Sequence, residues 1–245
     1  MTDSGVRGVN ANIIVRNAGT IAGGNGIAIN LGNGNDLVEV TGGQINGAIV
    51  TGTGNDRFTM NGGTVTGSVN VGDGANMVSL SGGTIGGSVT LSVGNGTFSQ
   101  SGGTVSGNVT LGLGNVSFTL GGGAINGNVL MGNGANQATV SGGAIGGSVT
   151  LGMGNGTFSQ SGGTVSGSVT MGPGNGSFGL SSGMIGSNVT MGDGDNQAIV
   201  WQAATSPASP LARGTRRSGM SASTATALAA TGRISGRRAA TWTLC

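Results

Sequence analysis

The chain of 245 residues contains no histidine, no lysine and no tyrosine, and its aromatic side chains are limited to five phenylalanines and two tryptophans. These absences remove the imidazole base, the Schiff-base amine and the phenolic acid together, so nothing is present to activate the abundant serines. Cys245, the one cysteine, is the last residue, which excludes an internal disulfide and a thiolate metal cluster. Leu, Ile, Val and Phe make up only about a fifth of the chain, a poor supply for the core of a compact enzyme. No stretch approaches the roughly 18 apolar residues of a membrane helix. Residues 1–15 lack a basic start followed by an apolar run, so the chain as given is expected to carry neither export signal nor membrane span.

Glycine is in excess, at 57 residues, a level that would read as disorder if it were aperiodic. It is not. Pairs fall at Gly42-Gly43, Gly62-Gly63, Gly82-Gly83, Gly102-Gly103, Gly122-Gly123, Gly142-Gly143 and Gly162-Gly163, with Ser182-Gly183 as an eighth member, a period of 20 without a slip. Phe58, Phe98, Phe118, Phe158 and Phe178 share one column with Val78, Ala138 and Ala198. Such a period marks a solenoid or array. The first unit is longer, because aligning Ile21 with Ile45 and Gly32 with Gly52 leaves four extra residues near Gly24 to Ile27, read as a bulging corner. Residues 81–140 also match residues 141–200 at 43 of 60 positions, as a tandem duplication would leave them.

Within residues 101–120, Val105, Gly107, Val109 and Leu111 alternate with Thr104, Ser106, Asn108 and Thr110, the two-residue beat of a half-buried strand, and Phe118 and Leu120 repeat it. Gly112, Gly114 and Asn115 supply one corner and Gly102-Gly103 the next, so each unit reads as two short strands and two corners. Units stacked about 4.8 Å apart give each strand partners above and below, and parallel crossovers favour one hand. The expected fold is all-β: a right-handed parallel β-helix (β-solenoid) with about 20 residues per turn, a rod roughly 40 Å long. Residues 1–16 form a lead-in, 17–200 the solenoid, and 201–245 a disordered tail rich in Ala, Arg and Thr. Uncapped ends predict end-to-end self-association.

The inward rows are expected at Ile45, Val65, Ile85, Val105, Ile125, Ile145, Val165 and Ile185, and at Val69, Val89, Val109, Val129, Val149, Val169 and Val189. Between them runs a bare row of Gly47, Gly67, Gly87, Gly107, Gly127, Gly147, Gly167 and Ser187, expected to face the phenylalanines so that each ring fills the vacant space. Gln100 and Gln160 fit poorly as inward residues.

Charge is divided along the chain. Residues 1–200 hold three Arg and all seven acids, while residues 201–245 hold six Arg and no acid. At Trp201 the period stops. The tail reads as an out-of-frame translation of GC-rich repetitive DNA or as a basic linker; nucleic-acid binding through Arg213, Arg216, Arg217, Arg233, Arg237 and Arg238 is not expected.

The units SGGTIGGSVTLSVGNGTFSQ (81–100) and TGGQINGAIVTGTGNDRFTM (41–60), with LGNGNDLVEV at 31–40, resemble the Gly-rich repeats in passenger regions of bacterial autotransporters, the type V secretion proteins. The resemblance spans residues 17–200 and implies a right-handed β-helix carried outside a Gram-negative cell by a C-terminal β-barrel and serving adhesion or host contact. It implies the cell surface, the outer membrane or secretion as the location, and a host-surface or matrix partner it does not name. No signal peptide precedes the repeats and no barrel-length strand series follows residue 200, so the chain reads as a fragment, touching membrane only through a barrel it does not contain.

Three chemistries compete with this reading. GNGND at 32–36, GTGND at 52–56 and GDGDN at 192–196 echo calcium-binding β-roll loops, but the column of Asp36 and Asp56 continues as Asn76, Gly96, Val116, Asn136, Gly156, Gly176 and Asn196, which are turn formers. Asp36 and Asp56, one rung apart, could serve a carbohydrate-active β-helix enzyme as acid and nucleophile, although Arg57 is the only nearby base and no aromatic sugar platform is present. Ser68, Ser88, Asn108, Asn128, Ser148, Ser168 and Asn188, beside Thr90, Thr110, Thr150, Thr170 and Thr190, form a ladder that could contact ice but is commonly just solvated; Asn108-Val109-Thr110 needs no glycan. The expectation is a non-enzymatic, adhesin-like scaffold with no catalytic, cofactor-binding or metal-binding residue. The alternatives are a secreted calcium-binding repeat protein and a β-helix carbohydrate-active enzyme.

Overall fold

A computed structural model describes residues 5–201 and the backbone of Gly232–Ile234 and Ala240–Thr243. The chain opens with β1 (Val6–Arg7), β2 (Ile14–Asn17), β3 (Thr20–Asn30), β4 (Leu37–Val40) and β5 (Gln44–Val50), already winding as a parallel sheet. It continues as an all-β parallel solenoid of about ten turns with roughly 20 residues per turn. Val105 pairs with Ile85 on one side and Ile125 on the other, and Phe118 pairs with Phe98 and Ala138. Parallel pairing begins at Val6 with Ile29, inside the segment expected as a lead-in.

The first turn is the most irregular, with a smaller shift where Ser161 pairs with Ser182 at an offset of 21. Ile21 pairs with Ile45, an offset of 24, whereas Ile29 pairs with Ile49, an offset of 20; the register shifts between Ala22 and Ile27 and again before Ile29 absorb the four extra residues. This is the expected bulge. Gly26 lies on it at φ 76°, and a Cβ there would meet nothing within 4 Å.

Each central turn holds three strands, where the alternation predicts two. In residues 101–120 they are Thr104–Val105, Val109–Leu111 and Ser117–Leu120. The expected long strand breaks because Gly107 donates its N–H straight down to Gly87 O at 2.9 Å, a corner pattern rather than the staggered bonds of a parallel ladder. A Cβ on Gly107 would lie 2.9 Å from Gly87 C and O. The bare glycine row therefore sits at a corner against the backbone of the preceding rung, and the expectation that it faces the phenylalanines is corrected.

Six side chains per turn point inward. In this turn they are Val105, Val109, Leu111, Val116, Phe118 and Leu120, all essentially buried. Phe98 and Phe118 stack with centroids 5.5 Å apart, as do Phe158 and Phe178. Full burial of one such side chain contributes about 1.5–3 kcal/mol, and the solenoid repeats that gain at every rung. Gln100 and Gln160, also inward and buried, act as corner ties: Gln100 Nε2 donates to Gly103 O (3.1 Å) and Ala124 O (3.2 Å), and Gln160 Nε2 to Gly163 O and Met184 O (both 3.2 Å).

Past residue 200, Gly232–Ile234 pairs antiparallel with Asn196–Ala198 and Ala240–Thr243 with Asn188–Met191, so the C-terminal edge has partner strands. The rest of the tail, on which the expectations of disorder and of an altered reading frame fall, lies outside the described residues. Among the described residues no helix is long and apolar enough to cross a membrane.

Candidate functional site

The Gly-x-Gly-Asn corner positions two files of polar side chains. The glycines make it: Gly114 has φ 136°, and a Cβ there would stand 2.3 Å from Gly94 O. The Asn that ends this corner points outward and the residue after it inward.

The inward file is the column of Asp36 and Asp56. It is buried: Asp36, Asp56 and Asn76 are each 2% exposed. Each side chain accepts the backbone N–H of its counterpart one rung earlier, Asp36 Oδ1 from Ile13 (2.8 Å), Asp56 Oδ1 from Asp36 (2.8 Å) and Asn76 Oδ1 from Asp56 (2.8 Å). Asn136 and Asn196 do the same for Val116 and Gly176. The other terminal atom differs from rung to rung. Asn76 Nδ2 donates to Val71 O (2.8 Å) and Gly72 O (2.9 Å), while Asn136 and Asn196 donate to Gly132 O and Gly192 O. Asp56 Oδ2 accepts the Thr51 hydroxyl at 2.6 Å. Asp36 Oδ2 is buried with no partner, since the position matching Thr51 is Leu31. Burial pushes the Asp36 carboxyl above its ordinary value of 3.8, the Ile13 N–H opposes that and the Asp56 charge adds to it.

Asp36 and Asp56 stack one rung apart as the sequence predicts, but inside the wall, where no sugar can reach them. The carbohydrate-active reading loses its open acid pair. Arg57 is exposed and Arg16 pairs with Glu39 on the outside at 2.9 Å. Among the described residues no group of three or more His, Cys, Asp or Glu could hold a metal ion.

The outward file at the corner is a second ladder running the other way, with Asn35 Oδ1 accepting from Asn55 N–H (2.7 Å) and Asn95 Oδ1 from Asn115 N–H (2.9 Å). Beside it Val93, Leu113 and Met153 project more than half exposed.

The row of Ser68 to Asn188 proves engaged, with Ser68 exposed and Ser88 to Asn188 half-buried. Ser88 Oγ accepts Asn108 N–H (3.1 Å), and Asn108 Oδ1 accepts Asn128 N–H (2.8 Å). The neighbouring threonine file is interrupted by Leu130. A different face holds hydroxyls outside these ladders, on the strands that carry the phenylalanines. There Thr97, Ser117, Gln137, Thr157 and Ser177 stack in register in one file, and Ser79, Ser99, Thr119, Thr139 and Ser159 in the next. The signal for it was present, because the residue on each side of an inward Phe must point outward.

No family model and no curated protein matches the chain. Its fold is similar to the crystal structure of a hyperactive, Ca2+-dependent, β-helical antifreeze protein from an Antarctic bacterium, at 24% identity and TM-score 0.55, over 79% of this chain. The chain spans 62% of that protein's length. The likeness is one of fold.

Proposed function

We propose that the chain is a non-enzymatic, adhesin-like β-helix scaffold, a passenger segment of a bacterial autotransporter displayed outside the cell. The observation that carries this reading is the 20-residue register from Ile29 to Val200, shifted only at Ser161–Thr164, which repeats similar outward side chains along each flank while the acids of the inner file are sealed within. Repeated identical faces suit many weak contacts with an extended partner, since linked contacts multiply avidity without any one being strong. The test is to express the complete coding region in a Gram-negative host and probe intact cells with an antibody to residues 41–180. Labelling that external protease abolishes supports the reading; labelling only after lysis overturns it.

A second reading is ice binding, favoured by the antifreeze β-helix of similar fold and by the two files on the phenylalanine strands, which are hydroxyls except at Gln137. A depression of the freezing point without change in melting point, or enrichment of the chain in a slowly grown ice hemisphere, would favour it over adhesion.

Calcium is named for the antifreeze protein, and the residues here do not fit a repeated calcium site. The Asn76, Asn136 and Asn196 amides already donate into the corner carbonyls, and Gly96, Val116, Gly156 and Gly176 offer no side-chain oxygen, whereas Ca2+ takes 6–8 oxygen ligands. Calorimetry with calcium is expected to show no heat and no change in Tm. A saturable heat would favour the calcium-binding alternative.

A further inference from the structure

The inner file contains its own control experiment, because one backbone corner is filled by chemically different side chains at successive rungs. At Asn76 the second terminal atom is an NH2 donating to the carbonyls five and four residues earlier. At Asp56 it is an oxygen, satisfied by the Thr51 hydroxyl five residues earlier. At Asp36 it is again an oxygen, with apolar, fully buried Leu31 five residues earlier and no donor within reach. A buried carboxylate oxygen without a donor is the least favourable of the three arrangements, and a single hydrogen on it gives it the donor that Asn76 carries at the matching atom.

We propose that Asp36 is built into the solenoid as a neutral carboxylic acid, its Oδ2–H donating into the corner as the Asn76 amide does, and that its ionisation loosens the first turns. The inference is independent of what the outer faces bind. Asp56, one rung on, is the charged group that acts on Asp36. Arg16 and Glu39 neutralise each other outside the wall, Arg7 and Arg57 are exposed, and Ile13, Leu31 and Val38 bring no charge.

The direction with pH follows from linkage. Folding raises the carboxyl pKa, so the folded chain holds the proton more tightly than the unfolded chain; this contribution is complete below the unfolded value and is lost as pH rises through the folded one. The Tm of the full chain is expected to fall by about 2–4 °C or more as pH rises from about 4 to about 8. Over the same range Asp36→Asn should remain flat and melt higher than the wild type at neutral pH. Leu31→Thr, which supplies the hydroxyl that Thr51 gives Asp56, should also flatten the profile while leaving Asp36 ionised. Hydrogen exchange should place the loss at the amides of Ile13 and Asp36, with those of residues 116–120 unchanged. A carboxylic C=O infrared band present in the wild type at mildly acid pH and absent in Asp36→Asn would support the proton directly. The proposal is overturned if the pH profiles of wild type and Asp36→Asn are parallel, or if Asp36→Asn melts lower than the wild type at neutral pH. It is overturned too if added calcium alone restores the neutral-pH Tm of the wild type and not of Asp36→Asn, because the missing partner is then a cation.

Discussion

Up to Asp73 the solenoid holds Arg7, Arg16, Asp36, Glu39, Asp56, Arg57 and Asp73 itself, whereas residues 74–192 hold no charged side chain at all. The more irregular winding also lies in the first of these regions, with offsets of 23 and 24 at β2 and β3 against 20 beyond them, save for 21 where Ser161 pairs with Ser182. Both regions nonetheless use the same inter-rung ladders and the same inward columns. The backbone pattern therefore tolerates Asp, Asn, Gly or Val in one inner column, and the cost of each choice is local: a donor in the right place satisfies the corner, and its absence leaves a buried oxygen alone. An uncharged middle stretch also lacks the like-charge repulsion that keeps rods apart, so lateral association is expected to be governed by that region.

The largest separation between the regions is expected in the core. Phe118→Ala removes a buried ring stacked on Phe98 and should cost about 3–5 kcal/mol in urea unfolding. Phe58 is equally buried but lies beside Val38 and Val78 in its column, so Phe58→Ala should cost less by the value of a stacked pair, about 0.5–1.5 kcal/mol. Equal losses at both sites would mean that the stacking adds nothing beyond burial.

Glycines divide the regions next. Gly114→Ala forces a side chain onto φ 136° and into Gly94 O, and is expected to cost about 2–3 kcal/mol or to prevent folding. Gly26→Ala on the first-turn bulge has open space around it and should show only the left-handed backbone penalty, about 1–2 kcal/mol. Thermal melts of the two variants side by side decide whether close rung packing or backbone conformation governs the glycine content.

The period, the stacking register and the four-residue bulge were legible in the sequence because each follows from counting residues between like columns. The third strand was not, since Val105, Gly107, Val109 and Leu111 alternate equally well through a corner and along a strand; only the straight bond from Gly107 to Gly87 distinguishes them. Nor could composition show that Asp36 and Asp56 turn inward, because Asn and Asp are at home in any turn and nothing in GTGND says which way the last residue points. Gln100 and Gln160 looked misplaced for the related reason that their partners, Ala124 O and Met184 O, lie 24 residues away on the next rung.

The inner column supplies a smaller, reciprocal test. Asn136→Asp places in the uncharged region the arrangement found at Asp36, replacing an amide donor with an oxygen facing Gly132 O. The expected loss is about 1–3 kcal/mol at neutral pH and less in acid, where the new carboxyl is protonated. A loss that does not change with pH would tie the effect to shape rather than charge, and would weaken the account of the first turns as well.

The smallest effect on stability is expected on the outer hydroxyl face. Thr119 and Thr139 stack in register outside the inter-rung ladders, so Thr119→Ala with Thr139→Ala should leave unfolding within about 0.5 kcal/mol of the wild type per site. Ser88→Ala looks equally superficial by sequence but removes the acceptor for Asn108 N–H, and should cost about 0.5–1.5 kcal/mol. If the paired threonine variant folds normally yet loses surface attachment or ice enrichment, the hydroxyl face is the contact surface. If it retains both, the corner ridge of Val93, Leu113 and Met153 becomes the face to change next, since it repeats along the same axis and presents apolar side chains to whatever lies against the rod.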